Sequence, residues 1–111
     1  MSRRKYTKNA PTHSSSNIIL HIRDIVGEYL SGVEVAIYKM EDKSKLFSKI
    51  TEDEKVNINL PIDSSTDIEI RCRKTIPGKE RYVNFSTKHT VFPPVFELKI
   101  VMEKDLNYNP V

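Results

Sequence analysis

From Asn17 to Glu103, apolar residues fall on every second position in one short segment after another. A strand presents alternate residues to opposite faces, so this repeat confines the chain to β-structure with one buried face per segment. Ile18, Leu20 and Ile22 share a face in Asn17 to Arg23, with Ile19, His21 and Arg23 on the other. Val33, Val35 and Ile37 point inward from a second strand, Val33 to Met40, and Leu46 to Thr51 forms a third. Val56, Ile58 and Leu60 alternate with Asn57 and Asn59, and Pro61 ends that strand because it cannot donate to a ladder. Ile68, Ile70 and Cys72 alternate with Asp67, Glu69, Arg71 and Arg73. Glu80 to Thr87 is the sixth strand. Phe96, Leu98, Ile100 and Met102 line the seventh. No segment carries a helical repeat. Seven short strands with close turns imply an all-β protein, a single seven-stranded immunoglobulin-like sandwich.

The connections are short. Asp24 to Gly32 is a loop, Glu41 to Ser44 and Glu52 to Glu54 are charged turns, and Lys88 to Pro94 reads as a connector. A two-residue turn at Pro77-Gly78 would set Cys72 opposite Val83, Ile70 opposite Phe85 and Arg73 opposite Tyr82, which matches the apolar faces. Pro-Gly favours a type II turn, which suits two-residue hairpins poorly, so a longer loop stays open.

The length of 111 residues allows one domain with a modest core. Three parts are expected: a basic arm over residues 1–16, a sandwich over 17–104 and a short tail over 105–111. The arm carries Arg3, Arg4, Lys5 and Lys8 and no acid, whereas the rest of the chain has 14 basic and 15 acidic residues. The arm therefore holds the whole positive excess, which suits an acidic protein surface or nucleic acid. Cys72 is the only cysteine, so no intrachain disulfide forms. The first 16 residues have no apolar stretch of the secretory kind, and no run approaches the ~18 residues of a membrane helix.

Catalytic and metal signatures are weak. Cys72 sits on an inward face, as a small buried hydrophobe does. His13, His21 and His89 are scattered, without zinc-ligand spacing, and read as solvated or partner-facing. The acidic turns lack the ligand spacing of a calcium loop, and three glycines are too few for a phosphate cradle. No enzyme, cofactor or metal site is expected. The candidate partner-binding residues are Arg3, Arg4, Lys5, Tyr6 and Lys8 of the arm, with Arg71, Arg73, Lys74, Lys79 and Arg81 of the hairpin. Arginine gives bidentate contacts to carboxylate or phosphate, and Tyr6 adds a flat contact of low entropy cost. Tyr82, lying among the hairpin cations, offers a cation–π or stacking contact. Acids interleave in the hairpin, but nothing local balances the arm.

The order of features resembles the transthyretin-like, carboxypeptidase regulatory-like sandwich domains. The matching stretches are Asp24…Gly27…Leu30-Ser31-Gly32-Val33-Glu34-Val35, then Thr51-Glu52-Asp53, then Ile58-Asn59-Leu60-Pro61. A glycine common in the family's second turn is replaced by Glu54. The resemblance implies a scaffolding or adhesion role. Hydroxyisourate hydrolases of similar fold end in Tyr-Arg-Gly-Ser, whereas this chain ends Asn107-Tyr108-Asn109-Pro110-Val111. Pilin-type domains place an isopeptide lysine in the first strand, and Asn17 to Arg23 has none. A lone sandwich with a basic arm is also similar to virion proteins of tailed phages, auxiliary capsid or decoration proteins above all. The Lys/Ile/Asn-rich composition suits an AT-rich genome such as that of a crAss-like phage. The expectation is a non-enzymatic structural protein, made in a host cytoplasm and carried in the virion, docked on a major capsid protein lattice. The alternatives are a nucleic-acid-binding module and a cell-surface adhesion domain; no membrane or small-molecule substrate is implied.

Overall fold

The computed structural model describes residues 16–52, 55–62, 64–92 and 94–109. Seven strands of five to eight residues build two sheets: β1 (Ser16–Arg23), β2 (Glu34–Lys39), β3 (Lys45–Ile50), β4 (Val56–Leu60), β5 (Thr66–Arg73), β8 (Phe85–Val91) and β9 (Val95–Val101). Two-residue strands β6 (Thr75–Ile76) and β7 (Glu80–Arg81) form a small separate hairpin. One sheet has the order β4-β1-β9 and the other β3-β2-β5-β8. The described residues contain no helix, and the two sheets pack as a sandwich.

The core is made of the alternating residues read from the sequence. Ile18, Leu20 and Ile22 of β1, Val35 and Ile37 of β2, Val56, Ile58 and Leu60 of β4, and Ile68, Ile70 and Cys72 of β5 are all buried. Val33 just ahead of β2, Val91 of β8, and Ile100 and Met102 at the end of β9 complete the layer. Aliphatic, mostly β-branched side chains suit a pleated surface covered on one side.

β1 is the central strand of its sheet. It pairs antiparallel with β4, Ile18 opposite Ile58, and parallel with β9, Ile18 opposite Phe96 and Ile22 opposite Ile100. The first and last long strands are therefore neighbours, and the chain between them builds the opposing sheet and returns once, as β4, to the far edge of β1. Edge strands β3 and β9 carry Lys45, Lys49 and Lys99, charges that discourage edge-to-edge pairing.

The entry to β2 depends on two small residues. Gly32 has φ +69, in the left-handed region, and an added Cβ would lie 3.1 Å from Lys74 Nζ. Thr51 is buried. Its Oγ1 accepts from the Val33 amide at 3.0 Å and donates to the Leu30 carbonyl at 3.3 Å. Its backbone exchanges bonds with Gly32 and Val33 at 2.9 Å.

Two expectations need correction at the hairpin. Ile76-Pro77-Gly78-Lys79 closes with Lys79 N donating to Ile76 O at 3.0 Å, and Gly78 has φ +76, a type II geometry. Its twist does not match a two-residue hairpin, so Lys79 joins the loop and Ile76 pairs with Glu80. Beyond it the chain peels away, with Tyr82 N bonded to Lys74 O and Val83 N to Glu103 O, both at 2.8 Å. Cys72 therefore faces Phe85 and Ile70 faces Thr87. A slip of two residues keeps each side chain on its face, so Cys72 still meets an apolar partner while Thr87 replaces Phe85 opposite Ile70. The strand thus runs to Val91, and residues 88–91, expected as connector, pair with β5.

Thr51→Val is expected to cost ~1–3 kcal/mol in urea unfolding, because it strands a buried amide and a buried carbonyl. Thr51→Ser is expected to cost clearly less. Ile58→Ala, which empties a sealed core position, is expected to cost ~2–5 kcal/mol.

Candidate interaction surface

The arm residues Arg3, Arg4, Lys5, Tyr6 and Lys8, with His13, lie outside the described residues. Where the arm joins the sandwich is clear. Ser16 pairs with Leu60 and Asn17 with Val95, and Asn17 N donates to Pro94 O at 2.7 Å. The arm leaves from the end of the molecule where β4 finishes and β9 starts.

The five hairpin cations do not form one cluster. Arg71 and Arg73 stand on the outer face of the four-stranded sheet, around a hollow of about 350 Å³ shared with Ala36, Tyr38, Lys45 and Ser86. Each is tied to a carboxylate. Arg71 Nη2 donates to Glu69 Oε1 at 3.0 Å, and Arg73 Nη2 to Glu34 Oε1 at 2.8 Å. The other Glu69 oxygen accepts from Ser86 Oγ at 2.8 Å. Arg71 first, and then Ser86, hold the Glu69 carboxyl below its ordinary range. Arg71 also lies 4.7 Å from the centre of the Tyr38 ring, with Lys45 at 5.9 Å.

The other three go elsewhere. Lys74 Nζ donates to the Ser31 carbonyl beneath Gly32. Lys79 sits in the turn. Arg81 grips Asp105 Oδ2 through Nε at 3.1 Å and Nη2 at 2.6 Å, and lies 5.0 Å from the Tyr108 ring centre. That ion pair holds the Asp105 carboxyl below its ordinary range and fastens the C-terminal tail to the small hairpin. Tyr82, expected among the cations, is buried in the core, and burial raises its hydroxyl pKa. Among the described residues, the tyrosines that meet arginines are Tyr38, Tyr108 and Tyr29, the last 4.2 Å from Arg23.

The histidines also differ from expectation. His21 Nδ1 meets the Tyr29 hydroxyl at 3.1 Å and Nε2 meets Glu97, so it is half-buried and partnered rather than solvated. His89 is half-buried in β8, 3.1 Å from Thr87 Oγ1 and stacked at a tilt on Phe96.

A surface that sequence reasoning missed lies at the end opposite the arm. Here the Asp24 loop, the residues after β7 and the tail after β9 enclose a hollow of about 570 Å³. Four of its lining residues are apolar and exposed: Ile25 (72%), Val26 (77%), Val83 (45%) and Leu106 (93%). The Asp24 side chain builds the loop by accepting from the Val26 and Glu28 amides at 3.0 and 2.9 Å. The tail is shaped by Asp105 Oδ1, which accepts from the Asn107 amide at 3.0 Å. The signal was present in the sequence. Ile25-Val26 inside a loop and Leu106 in a polar tail have no strand face to occupy.

Cys72 is buried, and burial pushes its thiol up to about 12, which suppresses the nucleophilic thiolate.

The chain matches no family model, and no curated protein matches it. Among solved structures it is similar to chlorocatechol 1,2-dioxygenase from Pseudomonas putida, with a TM-score of 0.55 and 14% identity. The match covers 86% of this chain and 63% of that one, so the chain spans a little under two thirds of that protein's length. At this identity the likeness is one of fold, a β-sandwich.

The native Cys72 thiol is expected to resist an aromatic disulfide reagent at mildly alkaline pH and to react fully once the protein is unfolded. Because the folded pKa is raised, the thiol's contribution to stability is complete below about 9 and is lost as pH rises through about 12. Prompt reaction of folded protein would place Cys72 at the surface.

Proposed function

We propose that this chain is a non-enzymatic structural module that docks on a larger protein assembly through its basic arm and its sandwich surface. Its closest type is an auxiliary or decoration capsid protein, or another virion protein, built on a transthyretin-like sandwich. The observation that carries the reading is the apolar hollow at the end opposite the arm. Ile25, Val26, Val83 and Leu106 leave a contiguous greasy surface exposed on a small domain. Such surfaces mark contacts with other macromolecules, because their exposure to water is unfavourable.

A protein partner is favoured over nucleic acid. Arg71 and Arg73 of the sheet face are each paired with a glutamate, Glu69 and Glu34, which weakens the field a phosphate backbone would require. The unbalanced charge of the arm suits the acidic surface of a shell, where each contact adds salt-sensitive affinity. The ordered Tyr38–Arg71–Lys45 group supports the nucleic-acid alternative, since stacked aromatic and cationic side chains receive bases.

Limited trypsin digestion with mass spectrometry separates these readings. Cleavage after Arg3, Arg4, Lys5 and Lys8 is expected to be rapid in the isolated protein and suppressed in the particles with which it co-purifies. Equal cleavage in both states would remove the arm from the interface. A salt-sensitive gel shift of DNA or RNA by the isolated protein, lost in Arg71→Ala, would favour the nucleic-acid module.

A further inference from the structure

We propose that the apolar hollow lined by Ile25, Val26, Val83 and Leu106 receives the basic N-terminal segment of a second copy, so that copies join head to tail. This deepens, and rests on, the reading of that hollow as a protein-docking surface by naming its occupant.

The chemistry of the two parts is complementary. The hollow is apolar inside and acidic at its rim. Among the described residues, its rim carboxylates Asp24 and Glu103 form no ion pair, whereas its Lys104 and Asp105 are already paired, with Glu80 at 3.1 Å and Arg81 at 2.6 Å. The rim is thus left net negative. Residues 1–15 hold four cations and no acid, interspersed with Met1, Tyr6, Ala10 and Pro11. A segment of that composition places apolar side chains in the hollow while its cations meet the rim.

The geometry favours a second copy over the segment's own sandwich. The segment enters β1 at Ser16, and the hollow begins just past Arg23 at the other end of that strand. Eight strand residues separate the two ends by roughly 25 Å. To reach its own hollow the segment would have to reverse at Ser16 and cross the outside of the sheet, because β4 and β9 flank β1. A segment that kept the line of β1 would need no reversal to enter the hollow of a copy set end to end. Fifteen extended residues reach up to ~50 Å, enough to cross it. The contact joins two different surfaces, so it repeats from copy to copy and gives a ring or an open row.

Sedimentation velocity of the full chain from micromolar to millimolar concentration tests this. The weight-average mass is expected to rise from the 12.9 kDa monomer by about twofold or more, and less at high salt. Two variants are each expected to weaken association about tenfold or more: Arg3→Ser/Arg4→Ser/Lys5→Ser in the segment, and Leu106→Lys, at a fully exposed position, in the hollow. Mixed together, they are expected to form a one-to-one heterodimer and nothing larger, because one intact segment and one intact hollow remain. A wild-type chain that stays monomeric, or association untouched by either variant, overturns the inference. If Leu106→Lys weakens particle binding while the isolated chain is monomeric, the docking reading stands and the head-to-tail contact falls. If Leu106→Lys changes neither, both fall.

Discussion

The structure hangs on β1. Its inward residues Ile18, Leu20 and Ile22 are buried, and its two edges are occupied by β4 and β9. β4 pairs with it from Ser16 to Leu20 and β9 from Asn17 to Arg23, so its place in the sheet is strongly determined. Everything at the two ends of the molecule is positioned by it. One end continues into the basic arm, and the other turns at Asp24 into the loop that presents Ile25 and Val26.

Charge is distributed by the same frame. On the outer face of the four-stranded sheet, arginines and glutamates stand close enough to pair: Arg71 with Glu69 two positions along β5, and Arg73 with Glu34 across from β2. These exposed pairs contribute little stability. Their consequence is electrostatic, since a face that looks basic in the sequence is close to neutral in space. Arg81 is likewise spent on Asp105, where it orders the tail that forms one wall of the hollow.

The strand pattern was legible because a strand buried on one face must alternate, and each alternating run found its place in the core. The register of the last hairpin was not. Turn type, which depends on the φ of Gly78, added a residue to the loop, and the pull of Glu103 and Lys104 on Val83 and Tyr82 added another. Local pairing rules cannot see that second effect, because the partner lies twenty residues onward. Tyr82 left the cationic face for the core for the same reason, and His89 moved from connector to strand.

The sequence by itself determined a sandwich, its core residues and the concentration of positive charge in the arm, since each depends on residue type and short-range spacing. Tertiary structure alone decided that the first and last long strands lie side by side, that the hairpin cations scatter to separate partners, and that Ile25, Val26, Val83 and Leu106 meet around one hollow. Those outcomes depend on which distant segments pair, and pairing is chosen by the whole buried surface, with no short stretch able to specify it alone.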